Sequence, residues 1–136
     1  MKITGTPRYI GYHVKFDNFN QIQLGDRVVI SDECFFLTHD YSYTTALIAI
    51  NEKPKSDIEI VRGIIIGNNV FVGKRSIIMP NTKIGNNVIV GAGSVVRGVI
   101  PNDSVVIGNP ATVVANIKDQ ASKWKKLAKI SNIRQD

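Results

Sequence analysis

Between Ile66 and Val95 the sequence repeats every six residues. Each of the five units opens with an aliphatic residue, and glycine follows the opener in four of them. The fifth place of each unit holds a small or β-branched residue, in order Val70, Ser76, Thr82, Val88 and Ser94. An α-helix repeats about every 3.6 residues and a simple strand every two, so neither produces this pattern. A fixed short period indicates stacked coils that bury their inner faces only against neighbouring coils.

The repeat also predicts which side chains point inward. The openers should stack into an apolar column, and the fifth residue should point into a space that admits only a small side chain. Glycine at the second place should lie at a bend, because it lacks a Cβ and tolerates positive φ. Two upstream units that open at Leu24 and Ile30 share this phase, and Ile107-Gly-Asn-Pro-Ala returns downstream after a slip of one residue.

The repeat pattern resembles that of the hexapeptide-repeat acyltransferases, in particular the maltose, galactoside and capsular-polysaccharide O-acetyltransferases. The resemblance covers roughly residues 10 to 115, and its most specific stretches include Gly91-Ala-Gly-Ser-Val and Ile107-Gly-Asn-Pro-Ala. It implies an all-β fold, a left-handed parallel β-helix of triangular cross-section, which is a rare exception to right-handed crossovers. It also implies an acetyl-CoA-dependent transferase that forms a homotrimer, with active sites in the grooves between subunits and no required metal.

The chain divides into a β-helix domain over 1–116 and a basic amphipathic helix and tail over 117–136. Within the first part, the stretch 42–65 interrupts the repeat without changing its phase, so we expect a loop that projects from a coil corner over a cleft. Alternatively, 58–65 already forms a β-helix coil. In the C-terminal part we expect an apolar stripe at helical spacing to pack on the β-helix wall; its members are Ile117, Ala121, Trp124, Leu127 or Ala128, and Ile130.

Composition narrows the partners and the compartment. The net charge is +6, and the six bases of 117–136 would attract a polyanion such as the coenzyme A phosphates or form a solvated helix face. The sequence shows no nucleic-acid motif, no apolar run of membrane-spanning length and no signal peptide. We therefore expect a cytoplasmic protein that does not insert stably into a membrane. Cys34, the only cysteine, occupies a fifth place and is expected to be a buried, unreactive thiol.

His39 is the main catalytic candidate, because it ends a regular coil, opens the loop and matches the catalytic histidine of the family. An imidazole can take the proton of an acceptor hydroxyl or amine as that group attacks the thioester, and can then pass it to the leaving thiolate. Asp17, one or two coils earlier, and the adjacent Asp40 are candidates for orienting the ring. His13 matches no motif and is expected to be structural or at the surface.

The resemblance also implies acceptor-binding residues. Glu33 stands where the sugar O-acetyltransferases carry asparagine in the coil before the histidine. Tyr41 and Tyr43 are suited to stacking on sugar rings. The expected acceptor is therefore a sugar or glycan hydroxyl, with a role in polysaccharide biosynthesis, and N-acetylation of an amino sugar nucleotide is the alternative.

Contacts with coenzyme A are implied mainly at the coil corners. By resemblance, main-chain groups of Lys74 and Ala92 bind the pantetheine arm, and Gly93 allows close approach. Arg97 stands near the place of a basic pair in the family and is a candidate phosphate ligand. Thr112 stands where a basic residue usually follows the Gly-x-Pro-Ala motif, and Lys118 is its candidate replacement.

Other functions of this fold fit the sequence less well. A γ-class carbonic anhydrase needs three histidines around zinc, and this chain has two. An ice-binding β-helix carries regular Thr-x-Thr rows, where this chain has Asn, Lys and Arg. Serine acetyltransferases carry Asp-His where this chain has Asp17-Asn18. The sequence therefore predicts an acetyl-CoA-dependent O-acetyltransferase, and the alternatives are an N-acetyltransferase of amino sugar nucleotides and a non-catalytic assembly module.

Overall fold

A computed structural model describes residues 1–128 of the chain. Most strands have only two or three residues, because each six-residue unit contributes one short strand and one corner. The elements are, in order, β1 (Lys2–Ile3), β2 (Tyr9–Ile10), β3 (Lys15–Phe16), a 3₁₀ turn (Phe19–Gln21), β4 (Ile22–Leu24), β5 (Val29–Ile30), β6 (Phe35–Phe36), β7 (His39–Asp40), α1 (Ser42–Ala49), β8 (Ile60–Val61), β9 (Ile64–Ile66), β10 (Val70–Val72), β11 (Ile77–Ile78), β12 (Lys83–Ile84), β13 (Val88–Val90), β14 (Val95–Val96), β15 (Val99–Ile100), β16 (Ser104–Gly108), β17 (Ala111–Asn116) and α2 (Ile117–Leu127).

The strands stack into three sheets that form the sides of a parallel β-helix. Their orders are β1-β4-β9-β12-β15, β2-β5-β10-β13-β16-β17 and β3-β6-β11-β14, and every neighbouring pair is parallel except the terminal β16–β17 hairpin. Val70 pairs with Val88 and Ile77 with Val95, so three six-residue units complete one coil. The repeat therefore builds the fold that its period predicts.

The core is a column of aliphatic side chains inside the β-helix. All five openers from Ile66 to Val90 are almost fully buried, as are the fifth-place residues Val70, Ser76, Thr82, Val88 and Ser94. Burying each aliphatic side chain contributes about 1.5–3 kcal/mol. The predicted inward positions are therefore confirmed for both places of the unit.

The reason for glycine at the second place differs from the prediction. Gly67 does not have positive φ, but a Cβ there would lie 2.6 Å from the carbonyl oxygen of Gly85 in the next coil. Positive φ falls instead at the fourth place, where Asn69 has φ 54° and Asn87 has φ 55°. Asparagine tolerates this left-handed conformation better than most residues. The close approach of two coils therefore favours glycine at the second place.

The last coil begins one residue earlier than the sequence indicated. Val106 pairs with Val90 and is fully buried, whereas Ile107 is about half exposed. The change of phase occurs upstream, because Ile84 pairs with Ile100 and that coil is two residues shorter than the regular ones. The prediction that Ile107 opens the last unit is therefore wrong.

The segment between β7 and β9 is a folded insert. Strands β7 and β8 pair antiparallel, and α1 lies between them. The hydroxyl oxygen of Thr44 accepts a hydrogen bond of 2.8 Å from the backbone of Ile58, which ties the helix to the returning chain. Of the stretch 58–65, Ile60–Val61 belongs to this insert, and only the part from Ile64 onward joins a β-helix sheet.

Helix α2 meets the β-helix wall at its first residue, Ile117, which is half-buried and lines a cavity with Phe71 and Ile89, but its later apolar residues do not. None of its residues is buried, and Trp124 and Leu127 each expose more than two fifths of their surface. The prediction of a packed stripe is therefore wrong for Trp124 and Leu127, because periodicity reveals an apolar face but not what covers it. The remaining tail, which includes Lys129, Ile130 and Arg134, lies outside the described residues. No helix within 1–128 is both long and apolar enough to span a bilayer.

Candidate active site

The imidazole of His39 is held beside a carboxylate from the preceding coil. Phe16 pairs with Phe36, so Asp17 lies at the corner from which His39 emerges. Its Oδ2 atom accepts a 3.0 Å hydrogen bond from the backbone N–H of Thr38 and lies 3.2 Å from Nδ1 of His39. With Nδ1 occupied in this way, Nε2 is the nitrogen available to an acceptor.

Asp40, the second predicted carboxylate, has a different partner. Its Oδ1 atom accepts a 2.9 Å hydrogen bond from the backbone N–H of Ser42 and a second bond from the Ser42 hydroxyl. The hydroxyl bond makes the larger contribution and the backbone bond the smaller, and together they hold the pKa of Asp40 below its usual range. The structure therefore brings Asp17, and not Asp40, to the His39 imidazole, and Asp40 shapes the turn into α1.

Glu59 is a site residue that the sequence analysis did not find. It immediately precedes β8, and its Oε1 atom lies 3.9 Å from Nδ1 of His39. The alternation Ile58-Glu59-Ile60 is typical of a strand, but only the pairing of β7 with β8 shows that the strand returns to His39.

A cavity of about 490 Å³ opens beside His39. In the described part of the chain its lining is mostly polar and contains two carboxylates but no lysine or arginine; the residues are Asp17, Asn18, Phe19, Asn20, Thr38, His39, Glu59 and Val61. The ring of Tyr41 meets the His39 ring edge-on at a centroid distance of 6.2 Å, while Tyr43 lies exposed on α1. Neither predicted tyrosine lines this cavity.

Glu33 lies at a different corner of the β-helix. It occupies a fourth place with φ 60°, and its carboxylate forms an ion pair with Arg75 of the next coil. The hydrogen bond from Arg75, followed by its charge, lowers the pKa of Glu33. Within one chain the structure does not bring this predicted acceptor residue to His39.

The predicted coenzyme A residues fall in four places. Lys74, Ala92 and Gly93 line one open cleft of about 480 Å³ together with Arg75. A Cβ on Gly93 would contact nothing within 4 Å, so the conformation at φ 68°, rather than a close approach in this chain, favours glycine there.

The other predicted coenzyme A residues lie away from that cleft. Arg97 lines a cavity of about 270 Å³ with Asp40 and Arg62. Arg62 lies in the insert between β8 and β9, and the sequence analysis did not single it out. Thr112 pairs with Ile107 in the terminal hairpin, and Nζ of Lys118 lies 3.9 Å from the Asp103 carboxylate.

Residues 63–98 match the family profile described as bacterial transferase hexapeptide (six repeats). The chain belongs to the hexapeptide-repeat acyltransferase family. Within 1–128, no cluster of three or more His, Cys, Asp or Glu side chains could hold a metal ion.

Solved structures of this family share the fold. A maltose O-acetyltransferase from Clostridium difficile has a TM-score of 0.71 at 32% identity, over 85% of this chain and 59% of that one. A galactoside acetyltransferase in complex with coenzyme A has a TM-score of 0.65 at 22% identity, over 89% of this chain and 67% of that one. The predicted left-handed β-helix with a short C-terminal helix is confirmed.

Sequence relatives extend the comparison. Protein CapG of Staphylococcus aureus is 42% identical over 75% of this chain and 56% of its own length. The aligned part of the chain spans 60% of the length of two curated relatives, from Escherichia coli and Saccharomyces cerevisiae, and about a third or less of two others.

Proposed function

We propose that this protein transfers an acetyl group from acetyl-CoA to a hydroxyl of a sugar or glycan. The observation that carries the proposal is the Asp17–His39 pair, which faces a polar cavity large enough for a sugar. Family relatives named maltose O-acetyltransferase and galactoside O-acetyltransferase support the reaction class and the acceptor class.

In this mechanism His39 is the general base. Its Nε2 atom takes the proton of the acceptor hydroxyl while the hydroxyl oxygen attacks the carbonyl carbon of the thioester. The resulting tetrahedral intermediate collapses with cleavage of the carbon–sulfur bond, and the imidazolium returns the proton to the thiolate of coenzyme A. Asp17 accepts the Nδ1–H of His39 and stabilises the imidazolium. A positioned base of this kind contributes about 10²–10⁴-fold to the rate.

The charge around His39 favours a hydroxyl over an amine as the nucleophile. Asp17 and Glu59 both approach the imidazole, and no lysine or arginine among residues 1–128 lines the cavity. Nearby carboxylates stabilise the ammonium form of an amine, which has no lone pair for attack. A hydroxyl is neutral and needs only the base. This supports O-acetylation over the alternative, N-acetylation of an amino sugar nucleotide.

The donor is expected to bind along the basic side of the coil corners. The cleft beside Lys74 and Ala92, together with Arg97, offers main-chain groups and positive charge to the pantetheine arm and the phosphates. The solved galactoside acetyltransferase with bound coenzyme A supports this donor. These groups and His39 lie in separate places of one chain, so we infer a homotrimer in which neighbouring subunits complete each site. A cytoplasmic role in polysaccharide biosynthesis fits this activity.

The test is release of coenzyme A thiol from acetyl-CoA in the presence of neutral glycosides and amino-sugar nucleotides. His39→Ala should abolish the release, while His13→Ala, which changes the only other histidine, should retain it. Light scattering on both variants should give a trimer. Full activity of folded His39→Ala would refute the mechanism, and a monomer would refute the shared site. If none of the acceptors in the panel causes the wild-type protein to release thiol, a non-catalytic assembly module would be favoured.

A further inference from the structure

We propose that Glu59 makes the His39 cavity a subsite for neutral acceptors rich in hydroxyl groups, and that it excludes acceptors with an anionic group at this place. The inference rests on the proposed function, because it concerns the acceptor of that reaction. In this proposal the insert supplies a residue that determines acceptor specificity. Neither the six-residue repeat nor the family resemblance predicts that residue.

The carboxylate of Glu59 is free to bind a ligand. Nδ1 of His39 carries one hydrogen at most, and Asp17 lies within hydrogen-bond range of that nitrogen at 3.2 Å. Glu59 lies at 3.9 Å, beyond that range, and its side chain is 43% exposed. Within residues 1–128, Glu59 receives no hydrogen bond from another side chain or from a backbone N–H. Its oxygens can therefore accept hydrogen bonds from two neighbouring hydroxyls of a sugar.

Other groups of the cavity suit the same ligand. The side-chain oxygen of Asn18 accepts a 3.0 Å hydrogen bond from the backbone of Asn20, so the Asn18 amide is held in place at the cavity wall. The ring of Phe19 is 56% exposed and packs at a centroid distance of 5.7 Å against Phe16. It offers a fixed apolar face for the C–H groups of a sugar ring. A carboxylate, an amide and an exposed ring together match the surface of a neutral sugar.

Acidic and basic side chains lie in different cavities on the two sides of the β7–β8 pair. His39 faces the cavity that contains Asp17 and Glu59, whereas the neighbouring Asp40 faces the cavity that contains Arg62 and Arg97. A carboxylate or phosphate on the acceptor would be repelled from the first cavity and would lose hydration there. The acceptor end of the site therefore selects against anions, while the arginines remain available to an anionic donor.

The experiment compares methyl β-galactopyranoside with methyl β-galacturonoside, which differ in a carboxylate at C6. Wild-type protein should show at least a tenfold higher kcat/KM for the neutral sugar. Glu59→Gln removes the charge but keeps the shape of the side chain. It should raise KM for the neutral sugar about tenfold and should reduce the ratio of kcat/KM between the neutral and the anionic sugar at least threefold. Glu52→Gln, which alters an exposed carboxylate in the same insert, should behave as wild type.

A binding measurement separates this inference from the proposed reaction. Ligand-observed NMR with each glycoside, without acetyl-CoA, should show binding of the neutral sugar to wild-type protein and weaker binding to Glu59→Gln. If no acceptor is acetylated, the proposed function fails, and this binding still decides the inference. Equal binding of both sugars, or of neither, would overturn it. A fall in kcat with unchanged KM and a shifted pH profile would also overturn it, because Glu59 would then act only by positioning His39.

Discussion

The carboxylate of Asp17 lies 3.2 Å from Nδ1 of His39, although the two residues belong to successive coils. The register of β3 on β6 sets this distance, and the backbone N–H of Thr38 fixes the same oxygen atom. The pair is thus held by parallel strand pairing and a main-chain hydrogen bond before any ligand binds. Such preorganisation is what a base and its orienting group require.

Replacing Asp17 by Asn should lower kcat about 10²-fold or more. The Asn side-chain oxygen can still accept the Thr38 N–H bond, so the fold should be retained. The neutral amide cannot stabilise the imidazolium, however, and the base loses its partner. Steady-state kinetics of thiol release at saturating acetyl-CoA measure this loss.

Asp57→Asn provides the matched control, because it changes an exposed carboxylate of the insert. It should leave kcat within a few-fold of wild type. If Asp17→Asn behaved in the same way while circular dichroism showed an intact fold, Asp17 would have no role in orienting His39.

The repeat carried enough information to predict the coils, but it left open whether Asp17 or Asp40 lies against His39, because Asp17 belongs to the irregular first coil. Each unit has a fixed length, so residues of successive coils come together in a known register. Glu59 escaped prediction because the insert follows no such period, and its approach to His39 depends on the β7–β8 pairing. The exposed position of Trp124 on α2 escaped for a related reason, since helical spacing does not specify the surface that covers an apolar face.

The Asp40–Ser42 contact predicts a pH-dependent contribution to stability. The folded-state pKa of Asp40 is lowered, so the contact stabilises the protein above the ordinary pKa of aspartate and the contribution is lost as pH falls through the folded value. Ser42→Ala removes the hydroxyl bond, which is the main cause of the shift. Its stability deficit against wild type should be constant near neutral pH and should shrink below about pH 4.

Thermal unfolding of both proteins from neutral to acid pH measures this deficit, and a carboxyl NMR titration should show the Asp40 pKa rising in Ser42→Ala. Ser56→Ala, at an exposed position of the insert, serves as the control and should show no deficit. A deficit for Ser42→Ala that grows toward acid pH would contradict the assignment.

Cys34 should not react with thiol reagents in the native protein. It is fully buried, its Sγ atom lies 3.2 Å from the carbonyl oxygen of Gly73, and burial raises the pKa of its thiol. Dithiobis-nitrobenzoate should therefore label the chain only after denaturation in guanidinium, and then with one equivalent per chain. Rapid labelling of the folded protein would show that the coil opens locally at this corner.

Two buried threonines allow a comparison of how much a hydroxyl group in the core contributes to the free energy of unfolding with and without a hydrogen-bond partner. The Oγ1 atom of Thr38 is buried without a hydrogen-bond partner in the described part of the chain. The Oγ1 atom of Thr82, equally buried, lies 2.6 Å from the carbonyl oxygen of Met79 and 3.2 Å from that of Val96. Substitution by valine keeps the shape and removes only the hydroxyl.

Thr82→Val should lower the free energy of unfolding by about 1–3 kcal/mol, because it removes a made hydrogen bond and leaves carbonyl oxygens with fewer donors. Thr38→Val removes a group that already lacks a partner, so stability should stay within about 1 kcal/mol of wild type or rise. Guanidinium denaturation curves with equal m-values decide the comparison. Equal losses in the two variants would mean that the Thr38 hydroxyl has a partner in solution.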